Sequence, residues 1–325
     1  MWKLFLIIPG QISAFAALSD LSQVAVGFAN GSVAIIRGDL IHDRGARQRI
    51  VFESEEPVTG LEVQHGQVAT LYISTTSRIL ALIIAGRGQG QPARVLEDTG
   101  CALGCMSLEK ESGYILVARE DAIYTYGPHG RGPSYAFESF KSSLNIFKDY
   151  LALVCPPKVG GSKSDSLRNF GVNQSEDIFS TTTFTLLDTD LKFIAHSESL
   201  VSSVKQVFIE WGDLFLLTTD GKVCRPGMTV FSSTNAIQIF RYREKTLQQK
   251  LEILYQRNLY ILAINLAQKT GVDNLQQNTI YRKYGDFLYQ RGDYDTAMQQ
   301  YLRAIDNTEP SQVIRKVRSC HIPYS

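Results

Sequence analysis

The pattern of apolar and polar positions changes character once along the chain. From Ser22 to Val223 the apolar residues come in short alternating runs bounded by turn residues, the period of two that marks strands. In "QVAVGFANGSVAIIRG" two apolar runs flank Asn30-Gly31, a dipeptide that accepts positive φ and is the strongest short hairpin signal. The same shape returns in "TLYISTTSRILALII" around Ser77 and in "GYILVAREDAIYTYG" around Asp121-Ala122. It appears again in "DLFLLTTDGKV" around Asp220-Gly221. The turns at Gly31, Ser77 and Ala122 lie 46 and 45 residues apart, and Gly221 follows 99 residues later, about two further periods. A period near 45 with several strands per unit is what β-propeller blades show, since one blade's sheet cannot bury both its faces alone. The 22–223 stretch holds between four and five such units, without a WD or GH signature.

After Arg241 the period becomes helical. Leu247, Leu251, Leu254 and Tyr255 fall on one helical face, and Ile261, Ile264 and Ala267 on a second, ending at Gly271. The segment "NTIYRKYGDFLYQRGDYDTAMQQYLRAIDNTEP" repeats the plan, with Gly292-Asp293 as the turn and Pro310 as the stop. "LYQRNLYILA" (254–263) and "LYQRGDYDTA" (288–297) share six of ten letters at an offset of 34 residues. That offset is the length of a tetratricopeptide unit, and the second copy carries its small/large code at Gly285, Leu288, Gly292, Tyr294, Ala297, Tyr301, Ala304 and Pro310. Ala263 and Ala297 are expected where the two helices of a hairpin cross closely, with the aromatic residues filling the gap to the next hairpin. Units of this kind gain stability by stacking, about three or more at a time. The expected fold is therefore a partial, WD40-like β-propeller followed by the start of an α-solenoid.

Composition adds exclusions more than assignments. With 325 residues, 44% hydrophobic and 20% charged, the chain has room for a large β domain and an appendage. A net charge of +1 predicts neither nucleic acid nor an anionic membrane as partner. Cys101, Cys105, Cys155, Cys224 and Cys320 are odd in number and irregular in spacing, which fits small buried residues better than a disulfide scaffold. The opening "MWKLFLIIPGQISAFA" has an apolar run that Pro9-Gly10 cuts after five residues, short for a signal peptide. It reads as a strand or an abnormal start, and the chain as cytosolic.

Candidate chemistry is sparse. Arg37-Gly38-Asp39 and Arg291-Gly292-Asp293 spell an adhesion tripeptide, one in a hairpin and one in a helical turn. Asn30 and Asn173 head glycosylation sequons, which mean nothing in a cytosolic chain. Gly86, Gly88 and Gly90 follow a strand but open no helix, so they do not make a phosphate cradle. Asp188 with Asp190, and Asp39 with His42 and Asp43, read as turn residues before they read as metal ligands. The polar stretch Cys155–Ser180 reads as a long exposed loop, a solvated insertion before a regulatory phosphorylation site. No nucleophile–base set has a locating motif around it, so neither a catalytic site nor a cofactor nor a metal is expected.

Several segments carry a resemblance beyond architecture: "AVGFANGSVAIIRGDLIHDR", "PVTGLEV", "GCALGCMSL", "RGPSYAFE", "EWGDLFLLTTDGKV", "KLEILYQRNLYILAINLAQ" and "YGDFLYQRGDYDTAMQQYLRAIDNTEPSQVIRK". Together they resemble the vacuolar protein sorting-associated protein eleven family, the class C core subunit of the HOPS and CORVET tethering complexes. The likeness runs from about Ser13 to Lys316 and covers roughly a third of a full family member. It implies blades over 13–223, a linker or anomalous insertion over 224–240, solenoid repeats over 241–316 and a tail outside the family pattern over 317–325. Set against that family pattern, the early propeller blades are expected to be missing, and "CRPGMTVFSSTNAIQIF" interrupts a join that the family makes almost directly. Five scattered cysteines and five histidines cannot build the eight-ligand RING of the family's C-terminus, so ubiquitin-ligase activity does not carry over.

The resemblance implies a non-enzymatic scaffold acting in vesicle-mediated transport and fusion at endosome and vacuole or lysosome. Its partners would be other class C subunits and, indirectly, Rab GTPases and SNARE proteins. It would be cytoplasmic and peripheral on late endosome and vacuole or lysosome membranes, held there through the complex. Two other classes share single features: a tetratricopeptide adaptor of unrelated cytosolic complexes, and a propeller enzyme with a polar channel. For partner contact the sequence offers the solenoid surface around Tyr255, Arg257, Tyr289 and Arg291. Against that stands inter-repeat packing for the tyrosines and plain solvent exposure for the arginines.

Overall fold

The computed structural model describes residues 10–39, 44–65, 69–84, 92–127, 130–157, 181–219 and 237–304. The chain divides into two compact units, Met1–Tyr242 and Arg243–Ser325.

In the first unit the described strands form five antiparallel sheets, each a meander of consecutive strands. Sheet 1 is β1 (Ile12–Ala17), β2 (Gln23–Phe28), β3 (Val33–Asp39) and β4 (Arg44–Phe52). Sheet 2 is β5 (Val58–Gln64), β6 (Thr70–Thr75), β7 (Ile79–Ile83) and β8 (Arg94–Glu97). Sheet 3 is β9 (Met106–Leu108), β10 (Ile115–Ala118), β11 (Ala122–Gly127) and β12 (Gly130–Ala136). Sheet 4 is β13 (Ser143–Phe147), β14 (Tyr150–Cys155), β15 (Thr182–Asp188) and β16 (Phe193–Leu200). Sheet 5 has three described strands, β17 (Ser203–Glu210), β18 (Asp213–Thr219) and β19 (Ile237–Tyr242).

The first strands of successive sheets pack on one another, β1 on β5, β5 on β9, β9 on β13 and β13 on β17. This is the arrangement of propeller blades, and the described residues of the unit make five blades of a β-propeller. A sheet covered on both faces needs apolar residues at every position of its inner strands, not at alternate ones. The second strands meet that demand: Val24–Phe28, Ile115–Ala118 and Tyr150–Cys155 are buried without a break. Ala16, Ile35, Val58, Leu71 and Leu80 fill the seam between sheets 1 and 2. Tyr72, Met106, Ile115, Leu144 and Leu151 continue it through sheets 2, 3 and 4, and Phe184, Leu200, Leu214 and Leu216 through 4 and 5.

Turn chemistry sets the register. Gly31 has φ +87°, and a Cβ there would lie 2.0 Å from the carbonyl oxygen of Ser54, so both backbone and space require glycine. Asn30 Oδ1 accepts from the Ser32 amide at 3.1 Å, closing the turn as an Asx motif. At the equivalent turn of sheet 3 the device is a buried lysine. Lys141, 2% exposed, donates from Nζ to the carbonyls of Arg119, Glu120 and Phe137. Sheet 5 departs from the sequence reading. Its third strand is Ile237–Tyr242, paired with β18 from Leu214↔Tyr242 to Thr219↔Ile237. Residues 237–240 are therefore strand, not linker, because Phe240 and Tyr242 join Leu214 and Leu216 in the seam with sheet 4. Asp220-Gly221, most of 224–240, most of the Cys155–Ser180 loop, and the 305–325 stretch with its tail lie outside the described residues.

The second unit begins with two helical hairpins, α1 (Leu247–Gln256) with α2 (Tyr260–Lys269), and α3 (Asn274–Gln290) with α4 (Tyr294–Arg303). Thr246 and Gln249 form a capping box at α1, and Asp273 and Asp293 cap α3 and α4. The 34-residue offset is kept to the atom at the hairpin turns. Arg257 and Arg291 are the C-caps, and Asn258 (φ 57°) and Gly292 (φ 84°) take the left-handed position after them. Leu259 and Asp293 then donate back to the carbonyls of Leu254 and Leu288 at 2.9 and 3.1 Å. Ala263 and Ala297 are fully buried.

Candidate functional site

The described residues of the propeller offer no catalytic constellation. Among them no group of three or more His, Cys, Asp or Glu side chains stands close enough to hold a metal ion. Asp188 is spent on its own turn, where Oδ1 accepts from the amides of Asp190 and Leu191 at 3.0 and 2.8 Å. Cys101, Cys105 and Cys155 are free thiols in the core. Burial pushes the Cys105 thiol up to about 12 and raises that of Cys101, which makes both poor nucleophiles.

The helical unit holds a more distinctive arrangement. A cleft of about 560 Å³ lies between the α1–α2 turn and the end of α3, lined by Asn258 to Leu262 and by Tyr284, Phe287, Leu288 and Arg291. Its wall is a ladder of aromatic rings. Tyr255 stacks on Tyr260 with centroids 5.9 Å apart, Tyr260 stacks on Tyr284 at 5.3 Å, and Phe287 meets Tyr260 at 5.0 Å. Cations sit at both ends, Lys283 Nζ 4.3 Å from the Tyr255 centroid and Arg291 Cζ 5.4 Å from that of Phe287. Burial, with Glu252 and Tyr260 nearby, pushes the Tyr255 hydroxyl up to about 12, so that hydroxyl is uncharged at neutral pH. Ile261 is 62% exposed at the rim. The result is an apolar, aromatic cleft with a positive edge. Aromatic and arginine side chains around an apolar centre are the composition enriched at protein–protein interfaces.

The four sequence-proposed contact residues separate here. Tyr255 is in the ladder and Arg291 lines the cleft. Arg257 caps α1 and is exposed, while Tyr289 turns to Tyr294, edge to face at 4.9 Å. Tyr255–Tyr260 and Tyr289–Tyr294 are the same pair in successive repeats, 34 residues apart. Tyr260, Tyr284 and Phe287 were missed, though Tyr284 and Phe287 stand at the i, i+3 spacing that puts two rings on one helix face.

A family model described as PEP5/VPS11 N-terminal matches residues 8–226, the greater part of the chain. The chain belongs to that family. Among the curated relatives is the vacuolar protein sorting-associated protein 11 homolog of Mus musculus, 35% identical over 321 residues. That match takes in 97% of this chain, hence the helical unit also, and 32% of the relative. The homologs of Dictyostelium discoideum and Arabidopsis thaliana are 32% and 29% identical, each over 94% of this chain and over 32% and 29% of their own length. This PEP5/VPS11 chain thus spans about a third of the length of the curated relatives it matches.

Proposed function

We propose that this PEP5/VPS11 chain is a non-enzymatic scaffold portion of a membrane-tethering subunit in vesicle-mediated protein transport and fusion at endosome and vacuole or lysosome. The observation that carries the reading is the aromatic cleft on duplicated helical hairpins, a built surface for holding another protein. The relatives' name, vacuolar protein sorting-associated, supplies the process. The proposed partners are other class C vacuolar sorting subunits, with Rab GTPases and SNARE proteins engaged through the assembly. Attachment to the membrane is then peripheral and comes through the complex. In physical terms, stacked hairpins offer an extended surface, and a few aromatic and arginine side chains supply most of the binding energy.

The test is affinity capture of the tagged chain from cell lysate with mass spectrometry, run beside a Tyr260→Ala, Arg291→Glu variant. Class C subunits recovered with the parent and depleted with the variant support both process and site. Recovery of chaperones alone, or of an unrelated cytosolic complex, rejects the tethering role in favour of a misfolded piece or a tetratricopeptide adaptor.

A further inference from the structure

We infer that the cleft between the α1–α2 turn and the end of α3 holds an acidic peptide of a partner protein. One bulky apolar side chain of that peptide enters beside the rings, and a neighbouring carboxylate pairs with Arg291. The inference rests on the reading of this cleft as a surface for holding another protein, and adds the chemistry of what it holds. Tyr260, Tyr284, Phe287 and Leu288 give it an apolar lining, and Ile261, 62% exposed, stands at the rim. A volume of about 560 Å³ has room for a side chain together with the backbone on either side of it.

The charge of the lining has one sign. Arg291 lines the cleft, and among the described residues no carboxylate does. Its guanidinium is exposed and lies 5.4 Å from the centre of the Phe287 ring. Lys283 takes the corresponding place over Tyr255 at 4.3 Å, and the exposed Arg257 directly precedes Asn258 of the lining. Two acids lie close to the ladder but outside the lining: Asp286, whose Oδ1 accepts from the Tyr301 hydroxyl at 2.7 Å, and Glu252 beside Tyr255. A guanidinium held near a ring still presents its N–H donors in its own plane, where a carboxylate makes two-point contact. The apolar lining lowers the local dielectric and strengthens that pairing. A cationic partner is disfavoured twice. It would meet Arg291, and the rings able to receive it already have Lys283 and Arg291 over them. An uncharged apolar segment would fill the cleft yet leave Arg291 without a counter-charge.

The experiment is selection of a random peptide library displayed on phage against the whole chain, followed by fluorescence anisotropy with the enriched peptides made synthetically. Each step is repeated on Arg291→Gln, Arg291→Glu and Ile261→Ser. These side chains are exposed, and an unchanged melting temperature verifies the fold of each variant. The expected peptides carry aspartate or glutamate beside leucine, isoleucine, phenylalanine or tryptophan. Their binding weakens with salt, falls about tenfold in Arg291→Gln and further in Arg291→Glu, and falls also in Ile261→Ser. Selection on Arg291→Glu should instead enrich lysine and arginine. The proposal is overturned if no peptide is enriched, if the enriched peptides lack acidic residues, or if they bind Arg291→Gln as tightly as the parent. Peptides without acidic residues, found alongside capture of class C subunits, reject this inference and leave the tethering reading standing. Acidic peptides that depend on Arg291, without class C subunits, keep the chemistry of the cleft and reject the tethering role.

Discussion

Tyr301 lays its ring across Gly285, so that a Cβ at Gly285 would stand 2.7 Å from Cε1 and 2.9 Å from Cδ1 of the ring. The tyrosine hydroxyl meanwhile donates to Asp286 Oδ1 at 2.7 Å. Ring and glycine together set how closely α3 and α4 approach.

From this follows the expected behaviour of Gly285→Ala. In an isolated helix the change gains about 1 kcal/mol. Here the buried ring must move and strain its hydroxyl bond, at about 1–3 kcal/mol for overpacking. The net outcome is a loss of about 1 kcal/mol in urea denaturation. A variant more stable than the parent would show that the hairpin has slack at this point.

Glu62 on β5 gives a pH dependence. Its carboxyl is pushed up to about 7, chiefly by burial, against the smaller opposing effects of the Leu108 amide and Lys110. The folded state therefore holds this proton more tightly than the unfolded state, where the value is near 4.5. Stability from this group is fully present below about 4.5 and is lost as pH rises through 7. Glu62→Gln should accordingly be more stable than the parent at pH 8, by on the order of 2 kcal/mol, and equal to it at pH 4. Parallel stability–pH curves for the two proteins would refute this.

Lys141 is the next test. Burial pulls its ammonium pKa down, yet Nζ donates to the carbonyls of Arg119, Glu120 and Phe137, of which Glu120 also accepts from the Ser139 amide at 2.9 Å. Lys141→Met keeps the length of the side chain and removes the donors. The expected cost is about 2–3 kcal/mol, read by thermal denaturation. A neutral substitution would mean that water replaces the ammonium.

The buried thiols predict a labelling pattern. Iodoacetamide at pH 8 should leave Cys101 and Cys105 unmodified in the folded chain and alkylate both in urea, as read by peptide mass spectrometry. Equal labelling in the two conditions would contradict the packing of sheets 2 and 3 around them.

How much of this was legible beforehand differs from one part to another. The turns at Gly31, Ser77 and Ala122 are the second-to-third strand connections of sheets 1, 2 and 3, so their spacing measured the blade itself. In sheet 5 that connection opens with the Asp220-Gly221 turn, whereas in sheet 4 it falls in 156–181, and that long stretch hid the period there. Ile237–Tyr242 was passed over because a three-to-four residue alternation in an edge strand is a weak signal beside a strong resemblance. The turn at Gly292-Asp293 was readable from the duplicated phrase. The aromatic ladder was not, because Tyr260 joins rings from two hairpins, and repeat register alone does not show which neighbours stack across repeats.

Every propeller strand described here pairs with the strand next to it in sequence, and some hairpins close within a few residues, as at Phe147↔Tyr150 and Glu210↔Asp213. Each sheet can thus assemble from a short local stretch before any distant segment has been synthesised. The entropic toll of long-range pairing, which slows many all-β proteins, falls here on the contacts between sheets. During synthesis the nascent chain would acquire its blades one after another, and the slow event would be their association into a common core.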